Sequence, residues 1–161
     1  MKVYIKNKFS LGGSSEVYNE NNETVFIIKG KVFSPTKKKL MCDKEGKVLY
    51  IIRNRYWNMF ANKVFIYDAN KEKVATIKKG KWSFNQKYQI EDCVDSMEIQ
   101  GKFFSRTSQI MRNGQQAGVI VRDFTIINDA FTLEAEEKDI PFLTALVVAF
   151  DNIKDQIQNE D

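Results

Sequence analysis

The chain has 161 residues, 43% hydrophobic and 29% charged, the proportions of a soluble globular protein and a length that suits one domain. It contains no histidine, which removes the usual general base, the Ser-His-Asp and Cys-His arrangements and most zinc sites. Its net charge of +4 hides an asymmetry: residues 1–128 hold 23 Lys/Arg against 12 Asp/Glu (+11), and residues 129–161 hold 2 against 9 (−7), so an anionic partner is to be sought on the first part.

In chain order, Val3, Ile5 and Phe9 mark an alternating opening strand, broken at Gly12-Gly13-Ser14-Ser15. Glu16-Val17-Tyr18 resumes, and Asn19 to Glu23 is a turn by composition. Thr24 to Lys29 is β-branched and aromatic and runs past Gly30, a bend or bulge, to Pro35. Lys37 to Asp43 leads through a turn at Lys44-Glu45-Gly46 to a return strand ending near Arg55. Tyr56 to Phe60 extends that strand or forms a corner. Val64 to Asp68 turns at Asn70-Lys71 and comes back as Val74 to Ile77. Gly80 to Phe84, Lys87 to Glu91 and Met97 to Ile99 follow. Gly101 to Met111 turns at Asn113-Gly114, the strongest short hairpin signal in the chain. Val119 to Thr125 and Ala130 to Ala135 complete about a dozen strands.

Two internal echoes run through this series. Gly-Lys followed by apolar or aromatic residues recurs at Gly30-Lys31-Val32-Phe33, Gly80-Lys81-Trp82 and Gly101-Lys102-Phe103-Phe104. A second plan, apolar strand, polar turn and apolar return, recurs around residues 21, 45, 70 and 114. With no fixed 20–50-residue period, a solenoid or propeller is disfavoured, and meander units bending at glycines fit better.

The last element is different. Ile140 to Phe150 contains one polar residue, Thr144, with Pro141 suited to a first helical turn and Asp139 placed as an N-cap. A helix apolar all round must be surrounded, and this run is too short to cross a bilayer. The prediction is a central helix over residues 139–156, with Leu143, Leu146, Val147 and Phe150 buried. The strands of residues 2–135 supply its wall, so residues 1–161 form a single, mostly β domain. That fold is a closed antiparallel barrel of about twelve strands around a central apolar C-terminal α-helix, with a two-layer sandwich as the alternative.

Val25 to Ser34, the apolar run Ala145 to Phe150 closing on Asp151, and the opening Lys6 to Gly12 together resemble the LURP-one-related family. That family shares the tubby C-terminal-like fold with tubby proteins and phospholipid scramblases. The resemblance covers essentially the whole chain and rests on glycines, alternation and an apolar helix, with no catalytic signature. It implies a twelve-stranded barrel around a central helix and little about activity; by analogy of fold alone, tubby domains bind phosphoinositides through basic residues and scramblases are associated with calcium and lipid.

Chemistry is sparse. Gly12-Gly13-Ser14-Ser15 lacks the surroundings of a phosphate-cradling loop, and Glu134, Glu136, Glu137 and Asp139 lack a calcium-loop pattern. Cys42 and Cys93 are too few and too far apart for a disulfide framework or a zinc set and read as buried or half-buried thiols. No metal, cofactor or catalytic residue is expected. The basic runs are Lys37-Lys38-Lys39 and Lys78-Lys79-Lys81, joined by Lys29 and Lys31, and Phe33, Trp82 and Phe84 are interleaved with them. Lys31, Lys37, Lys38, Lys39, Lys78, Lys79 and Lys81 are the candidate ligand site; the plainer alternative is a solvated β surface. Nucleic acid is disfavoured, because no recognition-helix or RNA-binding sheet motif is present. The expectation is a non-enzymatic binding or scaffold domain recognising anionic phospholipid headgroups, cytoplasmic and peripheral to the membrane. The alternatives are a protein-interaction or stress-response domain without a small ligand, and a carrier of an apolar molecule. No segment opening the chain has the signature of a signal peptide or membrane anchor.

Overall fold

A computed structural model describes residues 1–6, 14–30, 34–55, 63–79, 87–101, 106–123 and 130–158. Twelve strands occupy them: β1 Lys2–Lys6, β2 Ser14–Asn19, β3 Thr24–Gly30, β4 Lys39–Asp43, β5 Val48–Asn54 and β6 Lys63–Asp68. Then come β7 Lys73–Lys79, β8 Lys87–Glu91, β9 Met97–Gln100, β10 Thr107–Arg112, β11 Gln115–Asp123 and β12 Ala130–Ala135. Each pairs antiparallel with its neighbours in sequence, and β1 pairs with β12, so the sheet closes on itself. The expected barrel is what the chain forms, and closure leaves no open sheet edge. Period-2 alternation puts Val3, Ile5, Val17, Ile28, Ile52, Ile66 and Ile99 inside, all at most 1% exposed.

Sequential antiparallel pairing sorts the connections into two sets. The short turns at residues 20–23, 44–47, 69–72, 92–96 and 113–114 lie at one end of the barrel, here the lower rim. Strand ends Lys6, Gly30, Asn54, Lys79, Gln100 and Asp123 lie at the other, the upper rim. The two sequence echoes therefore mark the two rims. The polar turns are all at the lower rim, and Gly30 and Gly101 stand at or just past the upper ends of β3 and β9, while Gly80 lies outside the described residues.

Three lower-rim turns are copies of one device. Asn19, Asp43 and Asp68 each accept a backbone N–H from three residues on, at 3.1 Å, and their side chains accept the N–H of Glu23, Lys47 and Glu72 at 2.8–2.9 Å. The residue before that last donor is left-handed in each copy: Asn22 (φ 59°), Gly46 (φ 89°) and Lys71 (φ 68°). This is a three-residue hairpin loop ending in a left-handed position.

After β12 a single 3-10 turn, Glu137–Asp139, leads into α1, Ile140–Gln158. At about 1.5 Å per residue α1 spans roughly 28 Å, running from the lower rim up the barrel axis. Leu143, Leu146 and Val147 are fully buried and Phe150 is 3% exposed, as their all-round apolar setting requires. Gly118 on β11 explains one close approach: a Cβ there would lie 3.2 Å from Leu143 Cδ1 and 3.3 Å from the Glu134 carbonyl. Tyr88 meets Phe150 edge-on with centroids 4.7 Å apart, so large side chains fill the axis. Asp139, expected as an N-cap, instead lies in the 3-10 turn, and its carboxylate accepts three hydrogen bonds of 3.0 Å from Arg112. No helix among the described residues is long and apolar enough to cross a membrane.

Candidate functional site: a basic rim above a buried polar cluster

The lysine run leading into β4 is divided where the strand begins. Lys37 is exposed, Lys38 is half-buried, and Lys39 is 6% exposed, because it shares the inward face of β4 with Met41. Its Nζ lies 3.8 Å from Asp151 Oδ2 on α1, both side chains under 10% exposed. Lys39 thus ties the wall to the helix rather than facing solvent. Lys78 is half-buried and ion-paired with Glu91. Lys79 ends β7 at the same rim. Lys31 and Lys81, with Phe33, Trp82 and Phe84, lie outside the described residues.

The two basic runs do share the upper rim, but they belong to β4 and β7, with β5 and β6 between them. At about 4.8 Å per strand they stand roughly 14 Å apart. Lys29, which the sequence placed beside these runs, is exposed at this rim, and the rim holds further cations that the sequence did not single out: Lys6, Arg53, Arg55 and Arg106 are exposed, and Lys63 is half-buried. Each lies at, or within one residue of, a strand end, and register gathers them. Among the described residues of this rim, the exposed acids are Asp123 and Glu16, the latter placed opposite Lys6 by the β1–β2 register. The lower rim is mixed with an acidic excess: Glu20, Glu23, Glu45, Glu72, Asp92, Asp95, Glu136 and Glu137 are exposed there beside Lys44, Lys47, Lys71, Lys73 and Lys138.

Beneath the rim the interior turns polar. Asn152 is fully buried and Asn54 is 3% exposed. The Asn152 side-chain amide donates to Asn54 Oδ1 at 3.2 Å and approaches the Lys37 carbonyl at 3.5 Å. The Asn54 backbone N–H donates to the Thr36 carbonyl at 2.7 Å. Ser34 completes the support: its carbonyl accepts from Lys37 N–H and its hydroxyl from Lys38 N–H, both at 3.0 Å. Lys37 is held in the left-handed region, φ 44°, which lysine enters only when its surroundings fix it.

Other groups offer little reactivity. Burial pushes the Cys93 thiol up to about 11 and raises that of Cys42, so both are kept protonated and poorly nucleophilic. Among the described residues no group of three or more Cys, Asp or Glu side chains is placed to hold a metal. A hollow of about 170 Å³ at the lower rim is bordered by Arg112, Gln115, Glu136 and Lys138, whose charges are engaged with each other and with Asp139. What the upper rim can do is attract anions, by charge and hydrogen bonding.

No curated protein and no solved structure matches the chain. The family model described as LURP-one-related matches residues 1–151, the whole barrel and the helix as far as Asp151. The chain belongs to the LURP-one-related family.

Proposed function

We propose that the protein is a non-enzymatic binding module whose upper rim docks on anionic phospholipid headgroups at a membrane surface. The charge polarity of the barrel carries this proposal: Lys6, Lys29, Lys37, Lys38, Arg53, Arg55, Lys63 and Arg106 stand at one rim against two exposed acids among its described residues, Glu16 and Asp123. A barrel rim is a ring, and a ring can bring all its cations to a plane at once. Each Lys or Arg near an anionic bilayer contributes about 1 kcal/mol, a pull that weakens with salt. An apolar cargo in the interior is disfavoured, because α1 and the side chains packed on it occupy the axis.

The test is charge reversal with a matched control. Lys37→Glu with Lys38→Glu should weaken binding to vesicles containing phosphatidylserine more than tenfold. Lys44→Glu with Lys138→Glu, the same change in net charge at the lower rim, should leave it within about twofold. Equal losses from both pairs would show that net charge and not the rim matters. A protein-interaction role would be favoured if neither pair altered vesicle binding but Lys37→Glu with Lys38→Glu abolished capture of a purified partner.

A further inference from the structure

We infer that Asn152 and Asp151 of the central helix are positioning residues for the basic segment 36–38, so that anionic-ligand binding at the rim and the seating of the helix end are coupled. The inference rests on the anionic rim proposed above. Two helix side chains bear on that segment from inside the barrel, and one backbone bond holds it from the wall. Asn152 reaches the Lys37 carbonyl, Asp151 draws Lys39 inward at the point where the segment enters β4, and the Asn54 backbone N–H holds the Thr36 carbonyl while the Asn54 side chain is held by Asn152. Their combined effect is to turn Lys39 in while leaving Lys37 and Lys38 out.

Two features argue that this cluster is not there for packing. First, α1 is otherwise apolar along its buried length, Thr144 apart, and becomes polar at the turn that faces the basic segment. Second, the cluster is incompletely bonded: among the described residues, Asn54 Nδ2 and Asn152 Oδ1 are buried without hydrogen-bond partners. Apolar residues would remove that penalty, so a buried network left half-satisfied calls for a reason beyond stability. Positioning the strained Lys37 backbone supplies one. If the helix end sets the segment's geometry, a ligand that fixes Lys37 and Lys38 must steady the helix end by the same factor.

The wild-type protein provides the first test, by amide hydrogen exchange with vesicles of phosphatidylcholine and phosphatidylserine in 3:1 ratio. Exchange at Asp151, Asn152 and Ile153 should slow at least threefold on vesicle binding, and vesicles of phosphatidylcholine alone should have no effect. Binding with no change at the helix end would overturn the coupling. The second test is Asn152→Ala, with Asn54→Ala as its counterpart from the wall should the first fail to fold. Either should weaken vesicle binding about threefold to tenfold, and the loss should vanish in a Lys37→Gln, Lys38→Gln background. A loss that persists there means general destabilisation and rejects positioning, as does wild-type affinity in a folded variant. If the wild-type protein ignores both kinds of vesicle, the rim proposal itself has failed, an outcome distinct from failure of the coupling alone.

Discussion

Removing one partner of the Lys39–Asp151 pair should damage the fold more than removing both. The ions lie 3.8 Å apart with side chains 8% and 2% exposed. At an effective dielectric constant near 20 their attraction is about 4 kcal/mol, set against a desolvation penalty of several kcal/mol per ion. Lys39→Met leaves the Asp151 carboxylate buried opposite a thioether, and Asp151→Leu leaves the ammonium buried opposite an isobutyl group. Each single change should cost about 3–5 kcal/mol. The double variant replaces the pair with apolar packing of similar volume and should lie within about 2 kcal/mol of wild type, giving a coupling of several kcal/mol. Urea unfolding followed by tryptophan fluorescence reads this directly as midpoint shifts at constant slope. Single variants that each lose under about 1 kcal/mol, or a double variant that loses their sum, would refute a buried, coupled pair linking wall and helix.

Three further expectations follow from other parts of the barrel. Val147 is fully buried, so Val147→Asp, at several kcal/mol for an unpaired charge, should abolish cooperative unfolding; a soluble variant that melts cooperatively sinks the enclosed helix. The left-handed position shared by the hairpin turns at Gly46 and Lys71 predicts opposite signs: Gly46→Lys should cost about 1 kcal/mol and Lys71→Gly should gain about 0.5, read by thermal melts, with the reverse order contradicting the turn assignment. Tyr88 is 1% exposed with no hydrogen-bond partner for its hydroxyl among the described residues, and burial raises its pKa to about 12. The stability linked to its neutral form is therefore present below its ordinary value of 10.0 and is lost as pH rises toward about 12. Tyr88→Phe should leave the neutral-pH melting temperature unchanged or higher and flatten the alkaline decline; a loss above about 1 kcal/mol would mean the hydroxyl is bonded after all.

The architecture was legible because its signals are local. Alternation marks the strands, turn composition around residues 21, 45, 70 and 114 marks four of the five lower-rim hairpins, and a helix with one polar residue in eleven has to be enclosed. The site was legible only in part. Lys37 and Lys38 do face the rim, but Lys39 faces inward, which its two-residue spacing from Met41 signalled and the run of three lysines concealed. Its partner Asp151 is far along the chain, and no spacing rule pairs them. Lys6, Arg53, Arg55 and Arg106 are scattered singly in the sequence and are gathered with Lys29 only when the barrel closes. The charge split between residues 1–128 and 129–161 pointed to the basic side of the chain, whereas the folded polarity runs between rims. Arg112 and Asp139, which anchor the entry to the helix at the lower rim, were hidden for the same reason as Lys39 and Asp151.

Co-sedimentation of the wild-type protein with vesicles tests the anionic rim most directly. Vesicles of phosphatidylcholine and phosphatidylserine in 3:1 ratio should pull the protein down at low salt and markedly less at physiological salt, and pure phosphatidylcholine should not at either. Protein that stays in the supernatant with anionic vesicles even at low salt would contradict the docking surface.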